Sequence, residues 1–368
     1  MNTVAHVCVS KGLGGLELYS LQLHEMFKQD GIPSLHFCQK QSLFENKLKE
    51  AGLDYLPLNK TSYFGLSNIL NFRKAVKKHN IKHIYVHHLK DLWFVVPALI
   101  GLKDVEVIGV AQMFLNNVNK KDFLHKKLYG RLKKTMALTE IQKQSLLNCL
   151  PLKSEDIQVI PNSVNMNKFK SLTEDIRLQL RESVGVKADE KLIGVVGRLD
   201  PWKGQYELLQ AFKNINKNFP KTKLIIIGDE VSGSEYTKKV KEFVVENNLT
   251  ELVIFKGFQK NVHEWMSALD IFVMPSYEEA FGIVLVEAMA AGKPCLSTSA
   301  GGVPDIIKDD SIGKLVEPRS AKALEDGLNW YLEDWDKASQ VSINAKKEAY
   351  EVYDMNQIYK QVRDLISV

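Results

Sequence analysis

Five short apolar runs in the second half of the chain constrain its fold more than any other feature of the sequence. The runs KLIGVVG, KLIIIG, LVIFKG, IFVMPS and PCLSTS begin at residues 191, 223, 252, 271 and 294. Each is apolar at consecutive positions, as expected of a parallel strand that is covered on both faces. Because helix-length segments separate them, the runs predict βαβ units and a doubly wound sheet.

The first half of the chain repeats this alternation. The strand-like runs VAHVCVS, SLHFCQ and IKHIYVHH alternate with the helical segments LELYSLQLHEMFKQ, FENKLKEAG and LSNILNFRKAVKKHN. Since 368 residues exceed what a single core usually organises, we predict two α/β domains. The segment IQVIPNSVNMNKF is the predicted linker, which places the boundary after residue 168. Two such domains imply a cleft, with ligands beyond the carboxyl ends of the strands.

Composition excludes several classes of protein. A hydrophobic share of 45% and a charged share of 25% are typical of soluble globular proteins, and no apolar run reaches the ~18 residues that cross a bilayer. The start, MNTVAHVCVSKGLGG, lacks the basic region and long apolar core of a signal peptide, so we expect a cytoplasmic protein. The scattered cysteines form no C-x-x-C pair, which predicts reduced thiols and no structural zinc.

Charge is distributed unevenly along the chain. Residues 1–168 carry 23 Lys and Arg against 13 Asp and Glu, a net charge of +10, whereas residues 169–368 carry 26 against 31, a net charge of −5. Eight of the nine histidines also lie in the first half, which fits a half that meets an anionic surface or an acceptor. The acidic second half and the absence of a recognition motif predict no binding to nucleic acid.

Two cations stand at the carboxyl end of a buried strand in the segment KLIGVVGRLDPWKG, which starts at Lys191. Arg198 follows the strand directly, and Lys203 follows after a turn. A guanidinium fork and a compact ammonium together suit a diphosphate, and strand ends are where α/β sheets bind ligands. The alternative is that both are solvated loop charges, as loop charges usually are.

A glycine-containing loop, SKGLGGLE, follows the first strand and precedes a helix. The backbone of Gly14 and Gly15 can approach a phosphate closely at the N-terminus of that helix. The loop lacks the G-x-G-x-x-G spacing and the later acidic residue of a dinucleotide fold, and it can equally be a tight turn.

The segment PSYEEAFGIVLVEAMAAGKP contains an apolar helix. We predict that this helix begins near Ile283 and ends at Gly292, its C′ residue. The free N–H groups of Gly282, Ile283 and Val284 would then hold an anion at the N-terminus of the helix.

Two glutamates flank the start of this helix. Glu287 lies about one turn inside it, and Glu279 lies in the preceding loop. A carboxylate among apolar residues must meet donors, which the hydroxyls of a ligand can supply. The two glutamates are therefore predicted to bind a polyhydroxylated, phosphorylated ligand. The alternatives are an ion pair with an Arg or Lys for Glu287 and a solvated loop acid for Glu279.

Together these segments resemble glycosyltransferase family 4, whose members are retaining, nucleotide-sugar-dependent transferases of the GT-B fold. The resemblance rests on GRLDPWKG, on the spacing of Glu279 and Glu287 around AFGIVLV, and on the GKP and AGGVPDII that follow. It also covers VIPNSVNMNKF, LIIIG, VIFKGF and the early glycine loop, and so spans nearly the whole chain. It implies two Rossmann-like domains facing across a cleft, an acceptor domain (1–168) and a donor domain (169–353), with residues 354–368 packing back on the first.

The resemblance also implies roles for the residues already singled out. Arg198 and Lys203 would hold the donor diphosphate, Glu287 the ribose hydroxyls, and Glu279 hydroxyls of the transferred sugar. The backbone of Gly14 and Gly15 would close over the phosphate. The remaining predicted donor contacts are Phe258, which would pack on the base, and the helix start Phe281, Gly282, Ile283 and Val284. No metal or other cofactor is expected, because the cations and the helix N-terminus neutralise the diphosphate.

One departure from the family pattern concerns its usual histidine near the reacting sugar. That histidine follows the strand corresponding to VEVIGVAQM, and here Gln112 stands in about its place. His87 and His88 are the nearest alternatives, although a histidine at a strand end is more often structural. A second departure is NSVN from Asn162, where the family commonly has N-G-V-D.

The segment KKDFLHKKLYGRLKK, residues 120–134, carries seven cations against one anion. Leu124, Leu128 and Leu132 are spaced four apart, which predicts a basic amphipathic helix that could bind the anionic inner face of a membrane. The alternative is a core helix with a solvated basic face, and Gly130 weakens the helix.

The leading interpretation is transfer of a sugar from a nucleotide diphosphate sugar to a saccharide or lipid-linked saccharide, in surface polysaccharide or lipopolysaccharide assembly. A GT-B nucleotide-sugar epimerase is disfavoured, because no acid–base set for that chemistry is found. A catalytically silent nucleotide-sugar-binding partner of another transferase is the third interpretation, which Gln112 makes conceivable.

Overall fold

A computed structural model describes residues 2–59, 65–115, 118–230 and 233–366. Contacts between Cα atoms divide the chain into two compact units. The first unit is Met1–Asn162 together with Ile358–Val368, and the second is Ser163–Gln357. The division therefore lies slightly before the boundary predicted at residue 168, and residues 354–357 stay with the second unit. The prediction of two Rossmann-like α/β units is confirmed.

The first unit contains, within the described ranges, a seven-stranded sheet with the order β3-β2-β1-β4-β5-β6-β7 and parallel pairing throughout. Its strands are β1 (Thr3–Cys8), β2 (Ser34–Gln39), β3 (Tyr55–Leu58), β4 (Ile81–Val86), β5 (Glu106–Val110), β6 (Lys134–Ala137) and β7 (Ile157–Val159). Its helices are α1 (Gly15–Gln29), α2 (Leu43–Glu50), α3 (Leu66–Lys78), α4 (Leu92–Ala98), α5 (Phe123–Tyr129) and α6 (Glu140–Cys149).

The second unit contains a six-stranded sheet, counted over the same ranges, with the order β10-β9-β8-β11-β12-β13 and again parallel pairing. Its strands are β8 (Lys191–Val196), β9 (Thr222–Ile227), β10 (Val253–Gly257), β11 (Ile271–Met274), β12 (Cys295–Thr298) and β13 (Lys314–Val316). Its helices are α7 (Asn167–Lys170), α8 (Glu174–Glu182), α9 (Gln205–Asn218), α10 (Glu235–Glu246), α11 (Val262–Ala268), α12 (Ile283–Ala290), α13 (Ala321–Leu332) and α14 (Trp335–Val352). A last helix, α15, spans Met355–Arg363.

The C-terminal segment is anchored inside the first unit. Ile358 and Val362 are buried with residues of β1, β4 and α1. The hydroxyl of Tyr85 donates to the carbonyl of Val362 at 2.7 Å, and the guanidinium of Arg363 donates to Asp30 at 3.0 Å. The burial of these apolar side chains stabilises the segment, and the hydrogen bonds set its register.

The predicted amphipathic helix over residues 120–134 is wrong in extent. The helix α5 covers only Phe123–Tyr129, Gly130 is its C-terminal cap, and Lys134 already belongs to β6. The helix starts where the side chain of Asp122 accepts hydrogen bonds from the amides of Leu124 and His125. The following segment is recruited by the sheet, since Lys133 donates its amide to the carbonyl of Val107 at 2.8 Å.

No helix in the described part of the chain combines the length and the apolar character that crossing a bilayer requires.

Candidate functional site

The loop after β8 carries the two predicted diphosphate ligands. The carboxylate of Asp200 accepts the amide of Trp202 at 3.1 Å and so starts a short 3₁₀ helix, Pro201–Lys203. Gly204 then adopts φ +66°, and a Cβ there would lie 2.0 Å from the carbonyl oxygen of Pro275. Only glycine allows this approach, so the motif residue brings Lys203 to the carboxyl end of the neighbouring strand β11.

The structure brings Lys203 and Glu279 together. The ammonium of Lys203 lies 2.7 Å from a carboxylate oxygen of Glu279, and their side chains are 35% and 18% exposed. Arg198, at 63% exposure, lies 2.9 Å from the carboxylate of Asp200. Each predicted diphosphate ligand is therefore held by one carboxylate while remaining accessible to solvent, and an incoming diphosphate can exchange with that carboxylate.

The loop from Glu279 to α12 has the predicted geometry. The helix begins at Ile283, and Gly292 is its C′ residue with φ +69°, so both predicted ends are confirmed. Gly282 caps the helix with φ +87°, and the amide of Gly302 donates to the carbonyl of Glu279 at 3.0 Å. The first amides of α12 have no partner within the helix, so their N–H groups are available to an anion.

Glu287 lies one turn inside α12 and is only partly buried. Burial raises the pKa of its carboxyl to about 7, and the positive charge of Lys168 opposes that rise. Over the described ranges the structure shows no ion pair or hydrogen bond to this carboxylate. Glu287 is therefore a partly desolvated acceptor whose carboxylate is available to a ligand, and the alternative of an ion-paired Glu287 is not what the structure shows.

The two aromatic residues predicted to contact the donor differ in their exposure to solvent. Phe258 lies after β10 and is 60% exposed, so its ring is accessible to a base. Phe281 is 3% exposed, and its ring packs 5.8 Å from that of Tyr353 in an edge-to-face contact. Phe281 is thus a core residue that can offer a ligand only its backbone, because a buried aromatic ring stays where it packs.

In the early glycine loop, the backbone amide that could bind a phosphate is already bonded by a side chain of α1. The amide of Gly14 donates to the carboxylate of Glu17 at 2.7 Å, and Glu17 is buried. This capping interaction places a negative charge where the sequence predicts a phosphate. A Cβ on Gly15 would contact nothing within 4 Å, so sterics alone do not require glycine at that position.

A pocket in the first unit brings His88 and Gln112 together. It encloses a cavity of about 60 Å³ and opens at the carboxyl ends of β4 and β5. Its lining is Leu16, His87, His88, Leu89, Lys90, Trp93, Val110, Ala111, Gln112, Met113, Leu115, Lys120, His125 and Tyr129. The amide groups of Gln112 and Asn162 face each other at 3.2 and 3.4 Å, so the residue in the place of the usual histidine is held by a local partner.

Asp91 is the residue beside this pocket that the sequence gives no reason to single out. It is buried, accepts the amide of Val9 at 2.9 Å, and lies 3.9 Å from the imidazole of His88. Burial raises the pKa of its carboxyl to about 7. Burial also lowers the pKa of His88, as do the charges of Lys90 and Lys120. His88 is therefore a neutral imidazole at pH 7 that lines the pocket.

Within the described ranges no group of three or more His, Cys, Asp or Glu side chains could hold a metal ion.

Two family models match adjacent parts of the chain. The glycosyltransferase family 4 model matches residues 13–168, and the model for glycosyl transferases group 1 matches residues 177–348. Their junction lies close to the division between the two structural units.

Known proteins support the same assignment. An uncharacterized glycosyltransferase of Methanocaldococcus jannaschii is 31% identical over 229 residues, 61% of this chain and 57% of that protein. The lipopolysaccharide 1,2-N-acetylglucosaminetransferase of Salmonella typhimurium is 29% identical over 216 residues, 56% of this chain and 55% of that protein. The matches thus span just over half the length of these relatives.

A solved structure extends the likeness to the whole fold. Anabaena HepE, crystallised in complex with UDP, superposes with a TM-score of 0.88 at 22% identity and covers 99% of both chains. This likeness shows the fold alone, which is two Rossmann-like units of the GT-B type. With both family models matched in sequence order, the chain belongs to the family 4 type of glycosyltransferases.

Proposed function

We propose that the chain is a retaining glycosyltransferase that moves a hexose-type sugar from a nucleotide diphosphate sugar to a saccharide or lipid-linked saccharide. The assignment of a nucleotide-sugar donor rests on Glu287. This carboxylate lies in an apolar helix and has no ion-pair partner in the described ranges. The ribose diol of a nucleotide supplies the two donors that such a desolvated acceptor needs.

The diphosphate would lie between the loop after β8 and the N-terminus of α12. Arg198 and Lys203 bind its oxygens, and the first amides of the helix add donors. Binding a diphosphate draws Lys203 away from Glu279, which frees the carboxylate for hydroxyls of the sugar. These groups stabilise the charge that develops on the diphosphate as the glycosidic bond breaks, so no metal is needed in this proposal.

For transfer with retention, we propose front-side attack by an acceptor hydroxyl, with the leaving phosphate accepting the proton. His88 is the neutral imidazole that could assist, whereas Gln112 carries no titrating group. Assembly of a surface polysaccharide or lipopolysaccharide is the setting that the Salmonella relative suggests. UDP, the ligand of the HepE structure, is the nucleotide to test first.

A panel of UDP-, GDP- and ADP-sugars tests the donor assignment. A ligand at 100 times its Kd stabilises the native chain by about 2.7 kcal/mol, so the true donor should raise the melting temperature by several degrees. Released nucleotide is then measured without an acceptor. Slow hydrolysis is expected of a transferase, and binding without any release would favour a silent partner. Conversion to an isomeric nucleotide sugar would identify an epimerase, and no shift with any member would contradict the proposal.

Attachment to an anionic membrane face is also proposed, through the basic segment 120–134 and in particular its helix α5. Phe123 and Leu124 are 67% and 56% exposed, and Lys126 and Lys127 flank them on α5. Exposed apolar side chains beside lysines favour an anionic bilayer surface. Flotation with anionic liposomes should exceed flotation with neutral ones, and the double variant Phe123→Ser, Leu124→Ser should remove the difference. Equal recovery of the protein with anionic and with neutral liposomes would contradict this part of the proposal.

A further inference from the structure

The pocket between β4 and β5 combines an apolar interior with a cationic rim. Leu16, Leu89, Trp93, Leu115 and Tyr129 supply apolar and aromatic surface. Lys90 and Lys120 reach the pocket from two different connections, one after β4 and one after β5. A purely saccharide ligand would leave this apolar surface without a matching partner.

The two lysines have no protein counter-ion in the described ranges. The structure shows no ion pair or side-chain hydrogen bond for Lys90 or Lys120 there. The acids nearby are otherwise engaged. Glu17 caps the amide of Gly14, and Asp122 binds His125. Asp91 is buried and receives the amide of Val9, and its pKa is raised to about 7, so it is only half ionised at neutral pH.

Both lysines lie close enough to His88 for their charges to lower its pKa, and Glu17 lies close enough to raise it. Two cations beside one carboxylate leave a net positive charge in this region, which favours a further anion. An anion at this position would lie beside the apolar part of the pocket lining. The group attached to the anion should therefore be apolar as well.

We propose that this pocket binds an acceptor that carries a phosphate ester joined to an apolar group, with Lys90 and Lys120 binding the phosphate. This inference rests on the proposed transferase function and specifies its acceptor class. Met113, a lining residue that is 52% exposed, adds apolar surface at the outer edge of the pocket. A phosphate linked to an alkyl or isoprenyl chain matches both parts of this surface.

Binding to the full chain without any donor tests the inference. The probes are hexyl phosphate, inorganic phosphate and hexyl glucoside. The readout is the fluorescence of Trp93, which lines the pocket, and the variant Trp93→Phe shows how much of the total tryptophan signal comes from this residue. Hexyl phosphate should bind about tenfold more tightly than either other probe, because each of them lacks one of the two recognised groups. Equal affinity for hexyl phosphate and hexyl glucoside would contradict recognition of the phosphate. Equal affinity for hexyl phosphate and inorganic phosphate would contradict recognition of the apolar group.

Lysine variants locate the phosphate. Lys120→Gln and Lys90→Gln should each weaken hexyl phosphate binding about tenfold and leave hexyl glucoside unchanged. Lys121→Gln is the matched control, because Lys121 is the exposed neighbour of Lys120 outside the lining. Unchanged hexyl phosphate binding in both lining variants would overturn the inference. Donor hydrolysis measured on the same samples separates the two claims, since its absence in the wild type counts against the transferase function and not against the pocket.

Discussion

Replacing Lys203 by Ala is expected to lower sugar transfer by two to three orders of magnitude while the chain stays folded. Removing one preorganised donor to a developing charge costs about 10²–10³ in kcat. Lys203 meets this description, because the tight turn at Gly204 fixes the loop that carries it and Glu279 holds its ammonium at 2.7 Å. Initial transfer rates at saturating donor measure the effect, and the melting temperature reports on the fold.

Lys322→Ala is the matched control for this experiment. Lys322 also pairs with a carboxylate, that of Asp326, but it is exposed in the first turn of α13, which follows the edge strand β13. Exposed pairs of this kind contribute little to stability, so neither transfer nor melting should change appreciably. Full turnover in Lys203→Ala, with the control unchanged, would contradict the role given to the loop after β8.

The first unit is expected to lose its structure in mild acid before the second unit does. Four buried histidines, His6, His24, His36 and His87, lie side by side in its interior. The ring centroid of His6 is 5.2 Å from that of His24, 5.6 Å from that of His36 and 5.5 Å from that of His87. Protonation would place like charges together in an apolar interior, which is strongly unfavourable.

The direction of the pH effect follows from the lowered pKa values. Burial lowers the pKa of His24 to about 4 and that of His87 to about 3, and it lowers the pKa of His6 and His36 well below the usual 6.5. The unfolded chain therefore binds more protons below pH 6.5, so stability is full above that pH and falls toward pH 4. At pH 5 a histidine that stays neutral in the folded chain costs about 2 kcal/mol, and several together approach the whole stability of a domain.

Hydrogen exchange of the full chain at pH 7 and pH 5 measures this effect, with the second unit as internal reference. Amides of β1 and β4 should lose protection at pH 5 while those of β8 and β9 keep theirs. His36→Leu should raise the stability at pH 5, because it removes a titrating ring whose two nitrogens have no hydrogen-bond partner among the described residues. His79→Asn, outside the cluster, should change nothing, and equal loss of protection in both units would refute the account.

Local geometry was predictable wherever a glycine or a strand pattern determines it. The start of α12 follows from Gly282, which has φ +87° and so can precede a helix in a way that few other residues can. The apolar runs predict the buried parallel strands for the same reason, since only a strand covered on both faces reads that way. The predicted helix over residues 120–134 is too long. The four-residue spacing of its leucines favours a continuous helix, but the helix ends at Gly130.

Contacts between distant residues were not predictable from the pattern alone. The pair of Lys203 and Glu279 joins residues 76 apart through the close approach at Gly204, which no periodicity reveals. The histidine cluster arises because β1 and β2 pair with His6 opposite His36, while α1 brings His24 over them. The crowding of histidines in the first half of the chain was the only sign of it in the sequence.

A binding cycle on Glu287 tests the central claim that this carboxylate binds the donor ribose. The wild type and Glu287→Ala are titrated with the nucleotide sugar that gives the largest melting shift and with its 2′,3′-dideoxyribose analogue. The wild type should bind the analogue at least about tenfold more weakly than the parent, and Glu287→Ala should bind both alike, because the recognised hydroxyls then have no acceptor. Glu279→Ala, the matched control, should keep the wild-type preference, whereas an undiminished preference in Glu287→Ala would contradict the account.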